Sequence, residues 1–408
     1  MRAPSLATAA LAACLAACSF SGGDVTPDGA SGDPPTDADP RPRELRGVWI
    51  TRFAYNSQTS LEAIIDRGAA AHFNAVFVQI RGEGDAYYKS AYEPWSKRLS
   101  GVLGRDPGWD PLQVAIDRAH MHGMELHAYF NVFSAWTATT TVPAAEGPVQ
   151  HALVAHPEWL AVDSTGANRD TEYRWFAQGN PAVHEHIASV ARDLLAKYEV
   201  DGLHLDRIRT PGPDYSRDAA TMAAYNTAKA ANAQLSWADF MRGQVSTMVA
   251  ELHQVVAETR PHAKLSASVW GIYTPLPGCS TSQGYGNYYQ DSRGWLAAGT
   301  MDALVPMIYW SIEPGACTDW STLLDGFLAA KAGRQIWAGM HALDDSAFDF
   351  AQIGARIARA RVAGAAGTVV FASTYLDEDQ ARWDAFVGTD VAPGPYAVPA
   401  ITPAMSWK

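Results

Sequence analysis

The feature that most constrains the fold is a repeated alternation of short apolar runs with segments of helical period. Apolar runs of roughly four to eight residues, bounded by turn residues, are typical of buried strands. Eight such runs occur, namely RGVWITRF, AVFVQIRG, ELHAYFNVF, GLHLDRI, KLSASVWG, ALVPMIYW, QIWAGMHA and GTVVFASTYL. Segments of helical period lie between or after them, at residues 61–72, 111–122, 181–198, 237–259, 295–298, 321–332 and 348–362. This alternation predicts a (β/α)8 barrel.

Two helix starts support this prediction. Asp110 precedes Pro111 and Asn180 precedes Pro181, and in both places an N-cap residue stands before a proline that suits the first helical turn. The competing fold is a doubly wound open sheet. That fold normally has a glycine-rich phosphate loop after its first strand, and the segment RGVWITRFAYNSQTS has none.

Composition limits the class of partner. The chain has 408 residues, 48% of them hydrophobic, which is enough for one large barrel. Its formal net charge is -12 with only 18% charged residues, so it lacks the basic face that nucleic-acid binding requires. The 14 Trp and 16 Tyr residues fit either a large core or a cleft that stacks sugar rings. No feature of the sequence indicates a protein partner.

The first 18 residues have the pattern of an export signal. Arg2 precedes a short apolar segment that ends in LAACLAACS and is too short to span a membrane. This ending resembles the bacterial lipoprotein signal, with Cys18 as the expected lipidation site and Cys14 as the alternative. The other alternative is an uncleaved or simply secreted signal. We therefore expect an exported protein of the cell envelope that contacts the membrane through a lipid anchor only.

The rest of the chain divides into three parts. Residues 19–43 are rich in Pro, Gly, Asp and Ser and are expected to form a disordered tether. Residues 44–388 are expected to form the barrel, and residues 389–408 an extended Pro-rich strap. Cys279 and Cys317 lie in loop-like segments, where an exported protein favours one disulfide over two free buried thiols.

Polar side chains occur where the predicted strands end, which is where barrel enzymes place their active sites. Each has a structural explanation too: interior histidines, loop-capping carboxylates, or arginines in ion pairs. Polar groups at the ends of several parallel strands nevertheless meet in one cleft, and Asp206 is the strongest candidate. The candidates are Arg52, Arg81, Glu83, Asp85, His127, Asn131, His204, Asp206, Arg207, Arg209, Tyr309, Trp310, Glu313 and His341.

Several motifs, in order along the chain, resemble the glycosyl hydrolase-like 10 family. They are RGVWITRF, NAVFVQIRGEGDAYYKS, EPWSKRLSG, WDPLQVAIDRAHMHGMELHAYFNVF, HPEWL, NPAVHEHI, VDGLHLDRIRTP and VPMIYW. The resemblance implies a barrel glycosidase, and known relatives include bacterial envelope lipoproteins that cleave peptidoglycan glycan, notably strands stripped of their peptides. One departure is Arg207, because the family often has a second acidic residue directly after the strand-four aspartate.

Glycoside hydrolysis usually needs two carboxyl groups that flank the scissile bond. Asp206 is expected to be one, and either Glu83 or Glu313 the other, with Glu83 favoured; retention or inversion stays open. Arg81, Arg207 or Arg209 is expected to bind the lactyl carboxylate of muramic acid, because Arg binds carboxylates bidentately. Tyr309 and Trp310 are expected to stack on sugar rings. The remaining expected substrate-binding residues are Asp85, His127, Asn131 and His204.

No nucleotide loop, haem motif or zinc signature is present, so no cofactor and no metal are expected. A divalent ion held by Asp85, His127 and Asp206 is an alternative with little specificity of spacing. Three functions are therefore open. They are a glycosidase of peptidoglycan glycan, a hydrolase of another extracellular amino-sugar polysaccharide, and a carbohydrate-binding lipoprotein without catalysis.

Overall fold

Eight parallel strands close into a barrel in the computed structural model, which describes residues 39–343 and 350–408. The order around the barrel is β1, β2, β3, β6, β7, β8, β9 and β10, and β10 pairs with β1. The (β/α)8 prediction is confirmed. The strands of the described residues are β1 Leu45–Ile50, β2 Ala75–Arg81, β3 Glu125–Asn131, β4 Ser134–Thr137, β5 Tyr173–Trp175, β6 Gly202–Asp206, β7 Lys264–Trp270, β8 Ala303–Met307, β9 Gln335–His341 and β10 Gly367–Phe371.

Helices surround the barrel and connect its strands. Asp110 and Asn180 cap their helices as expected, because each carboxylate or amide oxygen accepts a backbone N–H of the first turn. The helices of the described residues are α1 Gln58–Ala70, α2 Lys97–Ser100, α3 Pro111–Met121, α4 Ala152–Ala155, α5 Pro181–Lys197, α6 Ala219–Ala231, α7 Trp237–Thr259, α8 Gly284–Asn287, α9 Ser292–Ala297, α10 Trp320–Ala329, α11 Ile353–Ala363, α12 Ser373–Leu376 and α13 Gln380–Val387.

The structure differs from the sequence-based expectation in several elements. The eighth run ends as a strand at Phe371, where its pairing with β9 ends, and its last residues form α12. Helix α6 was not predicted; Thr221 is its only buried residue, and its apolar face of Ala224, Tyr225 and Ala228 is only partly buried. The antiparallel pair β4 and β5 was also missed, since both strands lie inside a long loop between barrel strands. The helix expected at residues 348–362 is α11, and its expected start lies outside the described residues.

Aromatic and imidazole rings fill the barrel interior. The indole Nε1–H of Trp49 donates to Nε2 of His204 at 3.0 Å, and His204 Nδ1 lies 2.9 Å from Ser266 Oγ. The rings of Phe77 and His127 stack with centroids 4.5 Å apart. Burial lowers the pKa of His204 to about 3, so its imidazole is neutral at physiological pH. The interior is therefore a packed floor beneath the strand ends.

The strap at residues 389–408 lies against the starts of the strands. Glu44, just before β1, donates its backbone N–H to the Ile401 carbonyl at 3.0 Å. The indole of Trp407 donates to Asp302, just before β8, at 2.7 Å. Thr402 donates to Glu125 at the start of β3 at 2.5 Å. The strap thus covers the end of the barrel opposite to the strands' carboxyl ends.

Some expectations concern residues 1–38, which lie outside the described residues. They are lipidation at Cys18 or Cys14 and the tether up to residue 38. Within residues 39–343 and 350–408, none of the helices combines the length and apolarity that crossing a membrane requires.

Candidate active site

Asp206 ends β6 and lies at the carboxyl end of the barrel with its carboxylate held from several sides. The hydroxyl of Tyr129 donates to Oδ2 at 2.7 Å, and the backbone N–H of Arg207 donates to Oδ1 at 2.6 Å. Nη1 of Arg209 lies 3.8 Å from Oδ1. Burial by itself would raise the pKa of Asp206, but the charges of Arg207 and Arg209 and these hydrogen bonds hold it below its usual value. Asp206 is therefore an ionised carboxylate in a fixed orientation.

Arg207 adopts a left-handed backbone conformation, with φ of 51°. This conformation is uncommon for a non-glycine residue, and here it accompanies the hydrogen bond from the Arg207 N–H back to the preceding carboxylate. The Arg207 side chain reaches the rim, where Nη2 donates to Glu172 Oε2 at 2.5 Å. Its guanidinium also lies 5.0 Å from the centre of the Tyr173 ring. The residue thus links the aspartate at the centre to the loop that carries β5.

Two adjoining cavities open above Asp206. The central cavity, of about 180 Å³, is lined by Trp49, Tyr129, Asp206, Arg207, Arg209, Ser268, Met307, Tyr309 and Phe371. The aromatic cavity, of about 450 Å³, shares Arg207, Arg209, Met307 and Tyr309 with it and adds Trp175, Trp270, Tyr288 and Trp310. Indole and phenol rings in such a cleft suit the apolar faces of sugars. The two cavities form one groove over the aspartate.

Two polar groups of this groove have no hydrogen-bond partner among the described residues. The hydroxyl of Tyr309 is buried and unpaired, and Nη1 of Arg209 is also without a hydrogen-bond acceptor. Burial and the negative charge of Asp206 raise the pKa of Tyr309 well above its usual value, so the hydroxyl keeps its proton. Both groups are therefore free to bond to a ligand in the central cavity.

Glu83 lies in a third cavity of about 370 Å³, which we call the basic cavity. Nη2 of Arg52 donates to Glu83 Oε1 at 2.6 Å, and Asp85 Oδ1 accepts the Glu83 backbone N–H at 2.9 Å. Burial raises the pKa of Glu83 and the charge of Asp85 adds to this effect, although Arg52 opposes it. Glu172 lines both the basic and the aromatic cavity, so these cavities adjoin.

Four expected substrate-binding residues lie beneath the groove and line none of these cavities. Arg81 is fully buried in an ion pair with Glu93, with Nη2 2.6 Å from Oε1. His127 Nε2 lies 3.1 Å from Glu125, and the Asn131 amide donates to the Gly82 carbonyl at 3.0 Å. His204 belongs to the barrel interior. Their side chains point into the barrel wall or centre, which strand-end position alone does not reveal.

Of three further candidates, two lie at the groove and one lies away from it. Trp310 lines the aromatic cavity as expected. His341 packs against Tyr309, with ring centroids 5.2 Å apart, and so supports that tyrosine from behind. Glu313 is exposed and lines none of the cavities described here; its backbone N–H donates to Ser311 Oγ at 3.1 Å. Glu83 is thus the better placed of the two expected partners of Asp206.

Sequence reasoning missed several groove residues. Trp270 is the last residue of β7, so the rule that found the other candidates also applies to it. Tyr129 is opposite His204 in the register of β3 with β6 and precedes Asn131 by two residues, on the same face of the strand. The others lie in the short elements α2 and β5 or in loops, none of which has a periodic signature in the sequence. These are Lys97, Arg98, Glu172, Tyr173, Trp175 and Tyr288.

A disulfide joins Cys279 and Cys317, whose Cα atoms are 5.6 Å apart. It connects the loop after β7 with the loop after β8. The first loop carries Tyr288, and the second follows Trp310, so the bridge ties together two sides of the aromatic cavity. Among the residues that the structure describes, His, Cys, Asp and Glu side chains form no group of three that could hold a metal ion.

Comparison with known proteins gives relatives in sequence and a solved structure of similar fold. Glycosyl hydrolase YngK of Bacillus subtilis is 30% identical over 290 residues, which are 66% of this chain and 55% of that protein, so the chain spans just over half its length. Glycosyl hydrolase DigH of Escherichia coli K12 is 27% identical over 321 residues, covering 72% of this chain and 71% of that protein.

The structure is similar in fold to the glycoside hydrolase domain of PgaB (BpsB) from Bordetella bronchiseptica, with a TM-score of 0.60 and 15% identity. That likeness covers 85% of this chain and 98% of the domain. Residues 44–323 match the family described as glycosyl hydrolase-like 10, which confirms the resemblance noted in the motifs. With more than half of its length matched in this way, the chain belongs to the glycosyl hydrolase-like 10 family.

Proposed function

We propose that this protein is a glycoside hydrolase of the bacterial cell envelope that cleaves peptide-free glycan strands of peptidoglycan. One observation carries the proposal. The ionised Asp206 is held by Tyr129 and Arg207 at the floor of a groove with aromatic walls. A fixed carboxylate beneath a sugar-sized cleft is what glycosidic bond cleavage requires, and the family and fold are those of glycosidases.

In this proposal Asp206 attacks the anomeric carbon or activates a water, and Glu83 protonates the leaving oxygen. The depressed pKa of Asp206 suits the first role and the raised pKa of Glu83 the second. Glu83 follows β2 and Asp206 ends β6, with only β3 between them. Neighbouring strands are about 4.8 Å apart, which puts these strands roughly 10 Å apart.

The arginines of the groove support an acidic sugar as substrate. Arg207 and Arg209 line both the central and the aromatic cavity, and Nη1 of Arg209 has no hydrogen-bond acceptor. We propose that one of them binds the lactyl carboxylate of muramic acid, which is exposed once the peptide has been removed. Replacing each with Gln should then impair cleavage of peptide-free glycan more than cleavage of uncharged chitin oligomers. Equal losses on both substrates would rule this role out.

The envelope location rests on the signal-like segment that ends at Cys18. We propose that Cys18 is lipidated and anchors the protein to a membrane. The test is labelling of cells with radioactive palmitate, followed by isolation of the protein and of its Cys18→Ser variant. Label in the parent alone supports the anchor at Cys18, whereas label that persists in the variant points to Cys14 instead.

One observation favours a second function, a carbohydrate-binding lipoprotein without catalysis. Arg207 stands where the family often has a second acid, and its side chain is committed to Glu172. If that second acid were required for the reaction, this chain would bind glycan without cleaving it. A hydrolase of another extracellular amino-sugar polysaccharide is the remaining alternative, because the groove aromatics would accept such sugars equally well.

The deciding experiment incubates the purified protein with sacculi stripped of their peptides and analyses the released fragments by mass spectrometry. Parallel samples contain Asp206→Asn, and Glu313→Gln as the matched control, since Glu313 is exposed and outside the groove. We expect fragments from the parent and the control, and none from Asp206→Asn. Binding without release by the parent would support the non-catalytic function. Release from other amino-sugar polymers but not from sacculi would support the other hydrolase.

A further inference from the structure

We infer that the basic cavity is a second anion subsite, which binds a carboxylate on a sugar beyond the scissile bond, on the leaving-group side. The inference rests on the proposed function, in which Glu83 protonates the leaving oxygen. It extends that function by adding a second recognition site, about 370 Å³ in volume, that contains Glu83. Glu172 lies between this site and the aromatic cavity and lines both.

The two ends of the groove differ in chemistry. The aromatic cavity offers Trp175, Trp270, Tyr288 and Trp310 to a sugar. The basic cavity instead offers three cationic side chains, three carboxylates, three threonines and two aromatic rings. Its lining is Arg52, Phe53, Glu83, Asp85, Lys97, Arg98, Thr137, Thr139, Thr140, Glu172 and Tyr173. Such a surface matches a polar, charged sugar substituent better than a bare pyranose face.

Each carboxylate of the basic cavity already has a partner, inside the cavity or beside it. Glu83 is paired with Arg52 at 2.6 Å, and Glu172 with Arg207 at 2.5 Å. Asp85 accepts the backbone N–H of Glu83. Lys97 and Arg98, in contrast, form no ion pair with any of the described residues. These two residues therefore present cations that no described carboxylate contacts directly, in a lining that holds as many carboxylates as cations.

Arg52 adds an unsatisfied donor at the bottom of the cavity. Only 2% of its surface is exposed, and its Nε and Nη1 have no hydrogen-bond partner among the described residues. Buried polar groups are ordinarily hydrogen-bonded, so this guanidinium edge beneath the cavity leaves two donors that the described residues do not satisfy. Protonation of Glu83, the state its role as an acid requires, frees Arg52 further to bind a substrate anion.

Ring contacts hold the cations in place. The guanidinium of Arg98 lies 4.3 Å from the centre of the Phe53 ring and that of Arg52 lies 4.7 Å from it. Nζ of Lys97 lies 4.5 Å from the Trp136 ring. Phe53 itself is 56% exposed, which is unusual for so large an apolar side chain next to a cleft. A sugar ring that stacks on Phe53 would bring its acidic substituent between these cations.

A groove with cations at both ends selects a glycan with acidic sugars on both sides of the cleaved bond. Arg207 and Arg209 would bind one carboxylate, and Lys97, Arg98 and Arg52 the next one along the chain. A polymer with a single acidic end unit, or with none, would fill only part of the groove. The protein would then act within acidic glycan chains and not at their neutral ends.

The test measures binding in the Asp206→Asn background, in which cleavage does not interfere. The probes are peptide-free peptidoglycan fragments and the same fragments with their carboxylates reduced to alcohols, titrated by calorimetry. The test protein adds Lys97→Gln and Arg98→Gln. The matched control adds Lys331→Gln and Arg192→Gln instead, which remove two exposed charges outside the cavities. Thermal melting confirms that all three proteins are folded.

We expect Lys97→Gln with Arg98→Gln to weaken binding of the carboxylate fragments about tenfold or more, as the loss of charge-assisted contacts predicts. Binding of the reduced fragments should be unchanged, and the control should match the background protein on both. Equal affinity of the test and background proteins, or equal losses on both probes, overturns the inference. A further outcome is that the parent cleaves no glycan while Lys97→Gln with Arg98→Gln still weakens binding of the carboxylate fragments alone. In that case the proposed function fails and the anion subsite stands.

Discussion

The phenol of Tyr129 donates a hydrogen bond of 2.7 Å to Oδ2 of Asp206 from the neighbouring barrel strand. This bond stabilises the charged form of the carboxylate, and so it helps to keep the pKa of Asp206 below its usual value. The aspartate must be ionised to act as nucleophile or base. Under the proposed function, activity should therefore be present above the pKa of Asp206 and be lost as pH falls through it.

Tyr129→Phe should move the acidic limb of the pH–activity profile to higher pH, because the lost bond raises the pKa of Asp206. The measurement is kcat/KM on peptide-free glycan across the acidic range. Tyr198→Phe is the matched control, since the Tyr198 hydroxyl bonds to Asp110 at a distance from the groove. An acidic limb that stays in place in Tyr129→Phe would show that Tyr129 does not set the ionisation of Asp206.

Glu83→Gln should abolish cleavage of natural glycans while sparing substrates that need no proton. A leaving group such as an activated phenol departs without an acid, so its aryl glycosides should retain most of their turnover. General acids commonly contribute about 10²–10⁴-fold, and we expect a loss of that order on natural glycan. Glu313→Gln should behave as the parent on both. A uniform loss on both substrates in Glu83→Gln would contradict its role as the acid.

The role of Glu83 as general acid also predicts the alkaline limb of the pH–activity profile. A general acid must be protonated, so activity falls as pH rises through the pKa of Glu83, which burial and Asp85 raise. Asp85→Asn removes the neighbouring negative charge and should move the alkaline limb to lower pH. The check is the pH profile of kcat in the parent and in this variant. A shift in the opposite direction would exclude Glu83 as the titrating group.

The ion pair of Arg81 with Glu93 should support the fold and not the reaction. Both side chains are fully buried, and burial alone would raise the pKa of Glu93, but Arg81 and His186 lower it to about 2. Glu93 therefore stabilises the fold at pH values above its unfolded pKa, and this stability is lost as pH falls toward 2. Glu93→Gln leaves Arg81 uncompensated and should cost about 3–5 kcal/mol of unfolding free energy.

Denaturant unfolding at neutral and acidic pH measures this effect. Glu146→Gln is the control, because it breaks an exposed pair with Arg105 and should leave the midpoint unchanged. If Glu93→Gln unfolds at the same denaturant concentration as the parent, the pair does not stabilise the barrel.

The disulfide should stabilise both the fold and the aromatic cavity. It closes a loop of 38 residues, for which the chain-entropy relation gives about 4 kcal/mol. Cys279→Ser with Cys317→Ser should lower the melting temperature and raise KM more than it lowers kcat, because the loops that frame the cavity lose their tie. Reductant should reproduce the effect in the parent and leave the double variant unaffected. An unchanged KM would show that the disulfide does not contribute to substrate binding.

The barrel could be predicted because its strands are buried and its helices amphipathic, so local periodicity reflects tertiary position. The active-site face followed from that topology. The direction of individual side chains did not, since Arg81 and Asn131 also lie near the ends of strands yet point into the protein wall. Glu172, in a loop, and Lys97, in the four-residue helix α2, could not be placed either, because their position depends on long-range packing and has no periodic signature.

The hydrogen bond from the Arg207 backbone N–H to the Asp206 carboxylate holds that carboxylate without using the side chain at position 207. The carboxylate is fastened by the N–H of residue 207, which every amino acid except proline possesses, so the side chain there contributes nothing indispensable to the fastening. That side chain can change without breaking this hydrogen bond, although its charge also helps to lower the pKa of Asp206. A different side chain at position 207 would therefore leave the carboxylate held in place and change the charge that surrounds it.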